Sequence, residues 1–382
     1  MTAKRICIVL TTRGNLAKME STLTAITAHH DLALQVVIGG ALLDPSFGDR
    51  VDGKVFRIDE RLNYTTEDKT LRGIAESAGR CTIEMSRVLA KLKPDILIVI
   101  ADRFEALAIA QAAVCQNVII AHLEGGEVSG SIDEPIRHAI SKLANLHFPA
   151  NEEAAERLRR MGEHAGNIHV VGTPSLDLLH NININDKEAL TAALEIQGRG
   201  PRVDLEQRYI VVSQHPVATE YLRLTQQIEE TLQAVKNIAL PAVWILPNDE
   251  VGSPEFARRI GRLNEDKSYP PVRYLSNLTF ADYAVLVRHA CCLIGNTSSG
   301  IRESAFLGVP VVNIGSRQNG RMRGTNVVDV DFNAKAIVTA ARQQTAKQCY
   351  PCDTLYGDGH SGKKIALVLA QHKLVLGKTI AY

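Results

Sequence analysis

Short apolar runs alternate with longer amphipathic stretches along almost the whole chain, and no other feature limits the fold as much. The apolar runs at residues 6–10, 34–38, 55–58, 96–100, 118–121, 146–148 and 168–171 read as strands. They are rich in Val and Ile and nearly continuous, which suits strands buried on both faces. Helical patterns fall between them at about 15–29, 69–92, 104–115, 134–144 and 152–161. Strict alternation of strand and helix predicts an α/β fold with parallel, doubly wound sheets and right-handed crossovers.

The alternation pauses over a more polar stretch, 172–200, and then restarts. Strands are expected at 209–213, 242–246, 273–275, 291–294, 311–314 and 327–330, with helices near 219–237, 254–264, 280–288, 300–307 and 334–344. A chain of 382 residues is long for one hydrophobic core. The expectation is two Rossmann-like domains facing each other across a cleft, 1–175 and 176–365, with 366–382 in a C-terminal helix packed back on the first. A cleft between domains is a favoured ligand site.

Net charge is +1, which implies no polybasic surface for nucleic acid or an anionic membrane. No apolar run reaches the roughly 20 residues that span a bilayer. The N-terminus enters a strand-like run without a secretory cleavage pattern, so a cytoplasmic location is expected. Of seven cysteines, Cys7, Cys115, Cys291 and Cys292 lie in apolar runs and read as buried small hydrophobes. Cys349 and Cys352 form a lone CxxC, expected to be a turn with two reduced thiols rather than a metal site.

In an open parallel sheet, ligands bind outside the carboxyl ends of the strands. Two successive strand ends here carry charge: Asp102-Arg103 after the run at 96–100, and His-Leu-Glu124-Gly-Gly-Glu127 after the run at 118–121. Asp133 follows, just before a helix that begins with Arg137 and His138 near its start. General acid/base work needs carboxylates with separated pKa values, supplied by burial and neighbouring charges. Asp102, Glu124 and Asp133 are the candidates, Glu127 is a fourth, and Arg103 would hold Asp102 ionised where the side chains meet. A single acid near a helix start is ordinarily a cap; three within 32 residues point to chemistry.

Thr-Thr-Arg13-Gly follows the first strand, with Lys18 five residues on, and this pair is a candidate to meet phosphate. The dinucleotide fingerprint GxGxxG is absent there, which argues against a nicotinamide enzyme. In the second half, Gly-Asn-Thr297-Ser298-Ser-Gly leads from a strand into a helix, a turn whose N–H groups and hydroxyls suit a diphosphate. Glu303, one turn inside, could accept from the vicinal hydroxyls of a ribose. His215-Pro216 ends the strand at 209–213, where an imidazole could donate to phosphate or act as acid or base.

Together the segments ADRFEALA, HLEGGEVSGSIDEPIRHAISKLA, QHPVATE, LPNDEVGS and GNTSSGIRESAFLGVPVVNIGSRQ resemble the hydrolysing UDP-N-acetylglucosamine 2-epimerases of the bacterial sialic-acid pathway. The resemblance covers nearly the whole chain, in the family's order. It implies a glycosyltransferase-B-type fold, a small-molecule nucleotide-sugar substrate, and release of UDP and N-acetylmannosamine with no cofactor and no metal. By position it implies reaction roles for Asp102, Glu124, Asp133 and His215, and nucleotide contacts at Arg13, Thr297, Ser298, Glu303 and Arg317. Which carboxylate is base and which is acid stays open. The chain departs from the family pattern at Ala101, where Gly is usual, and at Ala41, where a histidine is usual. The departure at Ala41 leaves open a second substrate, the UDP-2,4-diacetamido-trideoxy sugar of the legionaminic-acid route. A non-hydrolysing epimerase is the other rival, disfavoured by HLEGGEVSG. A homodimer or homotetramer is expected.

Overall fold

The computed structural model describes residues 3–43, 56–68, 70–129, 133–247, 252–276 and 278–381, without the side chains of Arg13, Ala17, Leu71 and Ala218. The chain divides into two compact units. Unit 1 is Met1–Glu127, Asp133–His180 and Tyr356–Tyr382; unit 2 is Val128–Ile132 and Asn181–Leu355.

Unit 1 runs β1 (Lys4–Leu10), α1 (Arg13–Ala28), β2 (Leu32–Gly39), β3 (Ile58–Leu62), α2 (Leu71–Leu92), β4 (Ile96–Ile100), α3 (Phe104–Val114), β5 (Ile119–Leu123), α4 (Asp133–Leu143), β6 (Leu146–Phe148), α5 (Glu152–Arg160) and α6 (Ser175–Leu179). Its six strands stand in the order β3-β2-β1-β4-β5-β6, every pair parallel. Both faces are covered. Ile6, Ile8 and Leu10 of β1 pack with Met19, Leu23 and Ile26 of α1, while Cys7 and Val9 face Cys81, Met85 and Leu89 of α2. The C-terminal helix Ser361–Gln371 adds Ile365, Ala366 and Leu369 to the α1 side. Gly362 lets it approach, since a Cβ there would meet the Ser21 carbonyl at 2.7 Å.

Unit 2 runs α7 (Lys187–Gln197), β7 (Ile210–Ser213), α8 (Leu224–Ile238), β8 (Ala242–Ile245), α9 (Ser253–Gly261), β9 (Val272–Leu275), α10 (Phe280–His289), β10 (Leu293–Gly295), α11 (Glu303–Leu307), β11 (Val311–Ile314), β12 (Val327–Val330) and α12 (Ala334–Thr345). Its strand order, β12-β11-β10-β7-β8-β9, is the same winding as in unit 1. Val212, Trp244, Ile294 and Val312 face α8, α9 and α12; Val211, Val243, Leu293 and Val311 face α7 and α10. The fold is α/β with two Rossmann-like, doubly wound sheets.

Several elements differ from the sequence expectation. The strand expected at 55–58 lies at Ile58–Leu62, because the β2 register takes Val36 opposite Ile58 and a bulge then shifts Val37 onto Glu60; residue 55 lies outside the described residues. The strand expected at 168–171 reduces to one bridge, His147 to Ile168, since β6 is only three residues long and the chain turns at Gly172, φ +87°. The polar stretch 172–200 contains α6 and α7, the latter capped by the Asp186 side chain. The helices expected at 219–237 and 300–307 each open with a 3₁₀ turn, Ala218–Arg223 and Ser298–Gly300. The terminal helix stops at Gln371, leaving Leu374, Val375 and Leu376 exposed. Cys7 and Cys292 are buried, but Cys115, at the C-cap of α3, is exposed and Cys291 is half-buried. Among the described residues no helix is long and apolar enough to cross a membrane.

Candidate active site

Each sheet reverses its winding at one gap, between β1 and β4 in unit 1 and between β7 and β10 in unit 2. Ligands of such sheets sit at the strand ends beside that gap.

In unit 1 the residue after β4 is Ala101, φ +57°, and the residue after β5 is Glu124, φ +61°. The left-handed region costs an L-residue roughly 1–2 kcal/mol. Both residues are held there by the sheet itself, because each continues the ladder by one bond. Ala101 N–H donates to the Leu123 carbonyl at 3.0 Å, and Glu124 N–H to the Phe148 carbonyl at 3.0 Å. Strained backbone persists only where its surroundings over-determine it, and it gathers at functional sites.

Asp102 forms an ion pair with Arg137 of α4, a guanidinium only 2% exposed whose Nη1 also donates to the Glu127 carbonyl at 3.0 Å. Arg103, which would hold Asp102 ionised where the two side chains met, pairs elsewhere. Arg103 donates Nε to Glu105 Oε1 at 2.7 Å, and the Thr11 hydroxyl donates to the same oxygen at 3.1 Å. Arg103 is the N-cap of α3, and its side chain turns onto the start of that helix at Glu105. Glu124 is buried, accepting from Thr173 Oγ1 at 2.7 Å and from Lys18 Nζ at 3.3 Å. Lys18, expected from the sequence to meet substrate phosphate, therefore stands on a carboxylate of the acid cluster. Buried carboxylates need such partners. Asp133 opens α4, where the helix N-terminus favours an acid. Residues 130–132 lie outside the described residues, as do 248–251 of the LPNDEVGS motif. Arg13 opens α1 behind the Thr12 cap; its side chain lies outside the described part of the structure.

Beneath the two acid turns lies His122, fully buried. Its Nε2 meets the Ala101 carbonyl at 2.8 Å and its Nδ1 the Ser141 hydroxyl at 3.0 Å. Burial pushes the imidazole pKa down to about 3.

In unit 2, β10 ends in Gly295 at φ +142°, lying so close to β7 that a Cβ would drive into the Ser213 carbonyl. Asn296 then clamps the backbone of His215 from both sides. Its Oδ1 accepts from His215 N–H at 2.7 Å and its Nδ2 donates to the His215 carbonyl at 2.9 Å. The Asn296 carbonyl in turn accepts from Gln318 Nε2 at 2.8 Å and Arg317 Nη1 at 3.2 Å. Thr297 caps the 3₁₀ turn through its hydroxyl to Ser299 N–H at 3.4 Å, with Ser298 half-buried next to it. Glu303 opens the short helix α11 and is buried.

Unit 1 thus gathers Asp102, Arg103, Glu124, Asp133 and Lys18 around the ends of β4 and β5, and unit 2 gathers His215, Thr297, Ser298, Glu303 and Arg317 around the ends of β7 and β10. The sequence reading gave no role to Glu105, Arg137 or His122 in the first group, nor to Asn296 in the second. Glu105 had a signal, an acid inside an otherwise apolar helix start; Asn296 had one too, an amide directly after a strand-ending glycine. Among the described residues, one group of His and Asp side chains lies close enough together to share an ion: His29, His30 and Asp31. It precedes β2, at the opposite end of the strands from the acid turns.

A family model described as UDP-N-acetylglucosamine 2-epimerase matches residues 24–370. A UDP-N-acetylglucosamine 2-epimerase of Neisseria meningitidis serogroup B is 30% identical over 360 residues, covering 93% of this chain and 91% of that one. A hydrolysing UDP-N,N'-diacetylbacillosamine 2-epimerase of Legionella pneumophila is 31% identical over 385 residues, covering 99% and 100%. Among solved structures, the Neisseria meningitidis UDP-GlcNAc 2-epimerase bound to UDP-GlcNAc superposes with a TM-score of 0.80 over 96% of this chain and 100% of that one; at 16% identity this likeness concerns the fold. With a family match across most of its length and acids gathered at the strand ends, the chain belongs to the UDP-N-acetylglucosamine 2-epimerase family.

Proposed function

We propose that this epimerase is hydrolysing. UDP-N-acetylglucosamine and water become UDP and N-acetylmannosamine, by elimination to a glycal and rehydration, in supply of sialic-acid-type sugars. The observation that carries the reading is the pair of adjacent strand ends bearing Asp102 and Glu124, each carboxylate facing a cation. Support also comes from the relative named as hydrolysing that aligns along its full length.

The hydrogen on carbon-2 is not acidic in the ground state. As the bond from the anomeric carbon to the UDP oxygen breaks, oxocarbenium character builds and acidifies it. In this reading unit 2 meets the departing diphosphate with the Thr297–Ser298 turn, Arg317 and the clamped His215, and Glu303 holds the ribose. Donors fixed in advance where charge develops are the strongest lever available to such a site. Unit 1 supplies a carboxylate that takes the carbon-2 proton, leaving a carbon–carbon double bond. A second acid returns a proton to carbon-2 on the opposite face while water adds to the anomeric carbon and gives its own proton to the carboxylate so formed. Asp102, Glu124 and Asp133 share these two roles, each worth about 100- to 10,000-fold.

A second reading keeps the chemistry and changes the sugar to UDP-2,4-diacetamido-trideoxy sugar. It is favoured by the Legionella relative and by one from Campylobacter jejuni, 30% identical and named for GDP/UDP-N,N'-diacetylbacillosamine. It is also favoured by Ala41, exposed at the end of β2, where its N–H donates to the Thr11 carbonyl at 3.1 Å and no imidazole stands. Incubation with each sugar nucleotide in deuterated water, followed by NMR, tests both readings. The first expects free UDP and N-acetylmannosamine carrying deuterium at carbon-2. Turnover of the diacetamido sugar alone supports the second, and a product still bearing UDP overturns the hydrolysing reading. Turnover is expected to persist in EDTA; loss restored by magnesium would assign the acids to a metal.

A further inference from the structure

We propose that His122 is a positioning residue for the acid turns of unit 1. Its Nε2–H bolts the Ala101 carbonyl, its Nδ1 is fixed by Ser141, and the pair thereby sets where Asp102 points. The proposal rests on the reading of Asp102 as a group of the reaction.

A carbonyl oxygen only accepts, so the 2.8 Å contact to Ala101 requires the proton on Nε2. Burial keeps a second proton off the ring, with the pKa pushed down to about 3, so Nδ1 keeps its lone pair and the Ser141 hydroxyl donates to it at 3.0 Å. Both ring nitrogens are engaged and the side chain is 0% exposed. It therefore cannot meet substrate, and any effect on the reaction passes through the backbone.

That backbone is the strained one. The Ala101 carbonyl belongs to the peptide unit that carries Asp102, and Ala101 sits at φ +57°. Its N–H is tied to the Leu123 carbonyl and its carbonyl to the His122 ring, so both sides of the residue are fastened to β5. Without the second fastening, an alanine in the left-handed region can relax by turning that peptide, and Asp102 turns with it. A glycine at position 101 would tolerate the same φ without strain. Gly125 supplies an independent observation. Its φ is not in the left-handed region, yet a Cβ there would come within 2.7 Å of His122 Nδ1 and 2.9 Å of Ser141 Oγ. Glycine at 125 is thus required by the space that the imidazole–hydroxyl contact occupies.

The test is a double-mutant cycle read in kcat, KM and circular dichroism, made on the full chain. His122→Phe is expected to lower kcat on the order of 10- to 100-fold with KM within a few-fold, the signature of a displaced reacting group. In the Ala101→Gly background the same substitution is expected to cost at least several-fold less, because the strain that the imidazole restrains is gone. A histidine that only fills the core would cost the same factor in both backgrounds. His122→Gln, which can still donate to Ala101 and accept from Ser141, is expected to recover part of the loss. Gly125→Ala, which strikes the contact from the other side, is expected to reproduce it. Where the phenylalanine variant does not fold, these two variants carry the same comparison. An active wild type with equal losses in both backgrounds, or with no loss, overturns this proposal alone. A wild type without turnover on either sugar nucleotide overturns the functional reading and this proposal with it.

Discussion

The two units share one strand order, yet they build the ends of their central strands from opposite materials. Unit 1 puts ordinary L-residues, Ala101 and Glu124, into the left-handed region and holds them with ladder bonds and a buried imidazole. Unit 2 uses glycine for its difficult position, Gly295, and holds the neighbouring His215 with a neutral amide, Asn296. In the function proposed above, the difference follows from the task. A turn that must place a carboxylate has to carry a side chain wherever the backbone goes, and neighbouring bonds offset the strain. A turn that offers N–H groups and hydroxyls to a diphosphate gains from bringing its backbone close, and only glycine permits that.

The largest expected effect tests the first half of this contrast. Asp102→Asn, Glu124→Gln and Asp133→Asn are each expected to reduce kcat by about 100- to 10,000-fold, the usual worth of a positioned acid or base. UDP affinity measured by calorimetry should stay within a few-fold, because these acids belong to unit 1. Near-normal turnover in all three variants would return the strand-end acids to capping and packing. Loss of UDP binding in all three would mean that the division of labour between the units is wrong.

Next in size is the glycine of unit 2. Gly295→Ala forces a Cβ into the Ser213 carbonyl at a φ that L-residues avoid, and should destabilise unit 2 by roughly 3 kcal/mol. Trp244, the chain's one tryptophan, is buried in the unit 2 core, so its fluorescence during urea unfolding reports this unit. An unchanged midpoint would show that the β7–β10 approach is looser than drawn. A smaller loss is expected from Glu303→Ala, which should weaken UDP binding by roughly 1–3 kcal/mol by leaving polar partners unmatched. Unaltered affinity would assign Glu303 to the helix start alone.

Much of this architecture was legible from the residues, and the physics says which parts. Strands such as Ile96–Ile100 and Val311–Ile314 are buried on both faces, so they read as unbroken apolar runs and were located to the residue. β3, with the sequence IDERL, is an edge strand with a polar face, and no apolar run announces it. The acids at 102 and 124 were legible in position because a strand end followed by charge is a local pattern. Their partners were not. Arg137 lies 35 positions from Asp102 and Thr173 lies 49 from Glu124, and each meets its acid only because the winding sets β4, β5 and β6 side by side. Arg103, adjacent in sequence, pairs instead with Glu105. The roles of His122 and Asn296 are hidden for another reason: each serves a backbone group, and although the amide after Gly295 stands out, the group it serves leaves no mark in a sequence.

The smallest effect separates an imidazole fastening from an amide one. An amide does not titrate, so the Asn296 clamp contributes the same stability at every pH. The His122 ring does titrate, with its folded pKa pushed by burial from 6.5 down to about 3. Above about pH 6.5 both folded and unfolded chains hold the ring neutral, and its contribution does not change. Below that, the unfolded chain takes up a proton that the folded chain refuses. Stability therefore falls as pH falls, with a slope of up to about 1.4 kcal/mol per pH unit, until the folded pKa near 3 is reached. Other groups titrate in the same range, among them His147, also lowered by burial, so the informative quantity is a difference between variants. His122→Gln keeps a donor for Ala101 and an acceptor for Ser141 and removes the titration. Urea unfolding followed by circular dichroism at a series of pH values from about 8.5 to about 4 should show a shallower decline for the variant than for wild type, with the two curves parallel above about pH 7. Trp244 fluorescence on the same samples should show no such difference, because that ring reports the unit fastened by Asn296. Parallel declines by dichroism would mean that water reaches the imidazole and protonates it in the folded chain, and the fastening of Ala101 would then weaken at acid pH along with the turn that carries Asp102.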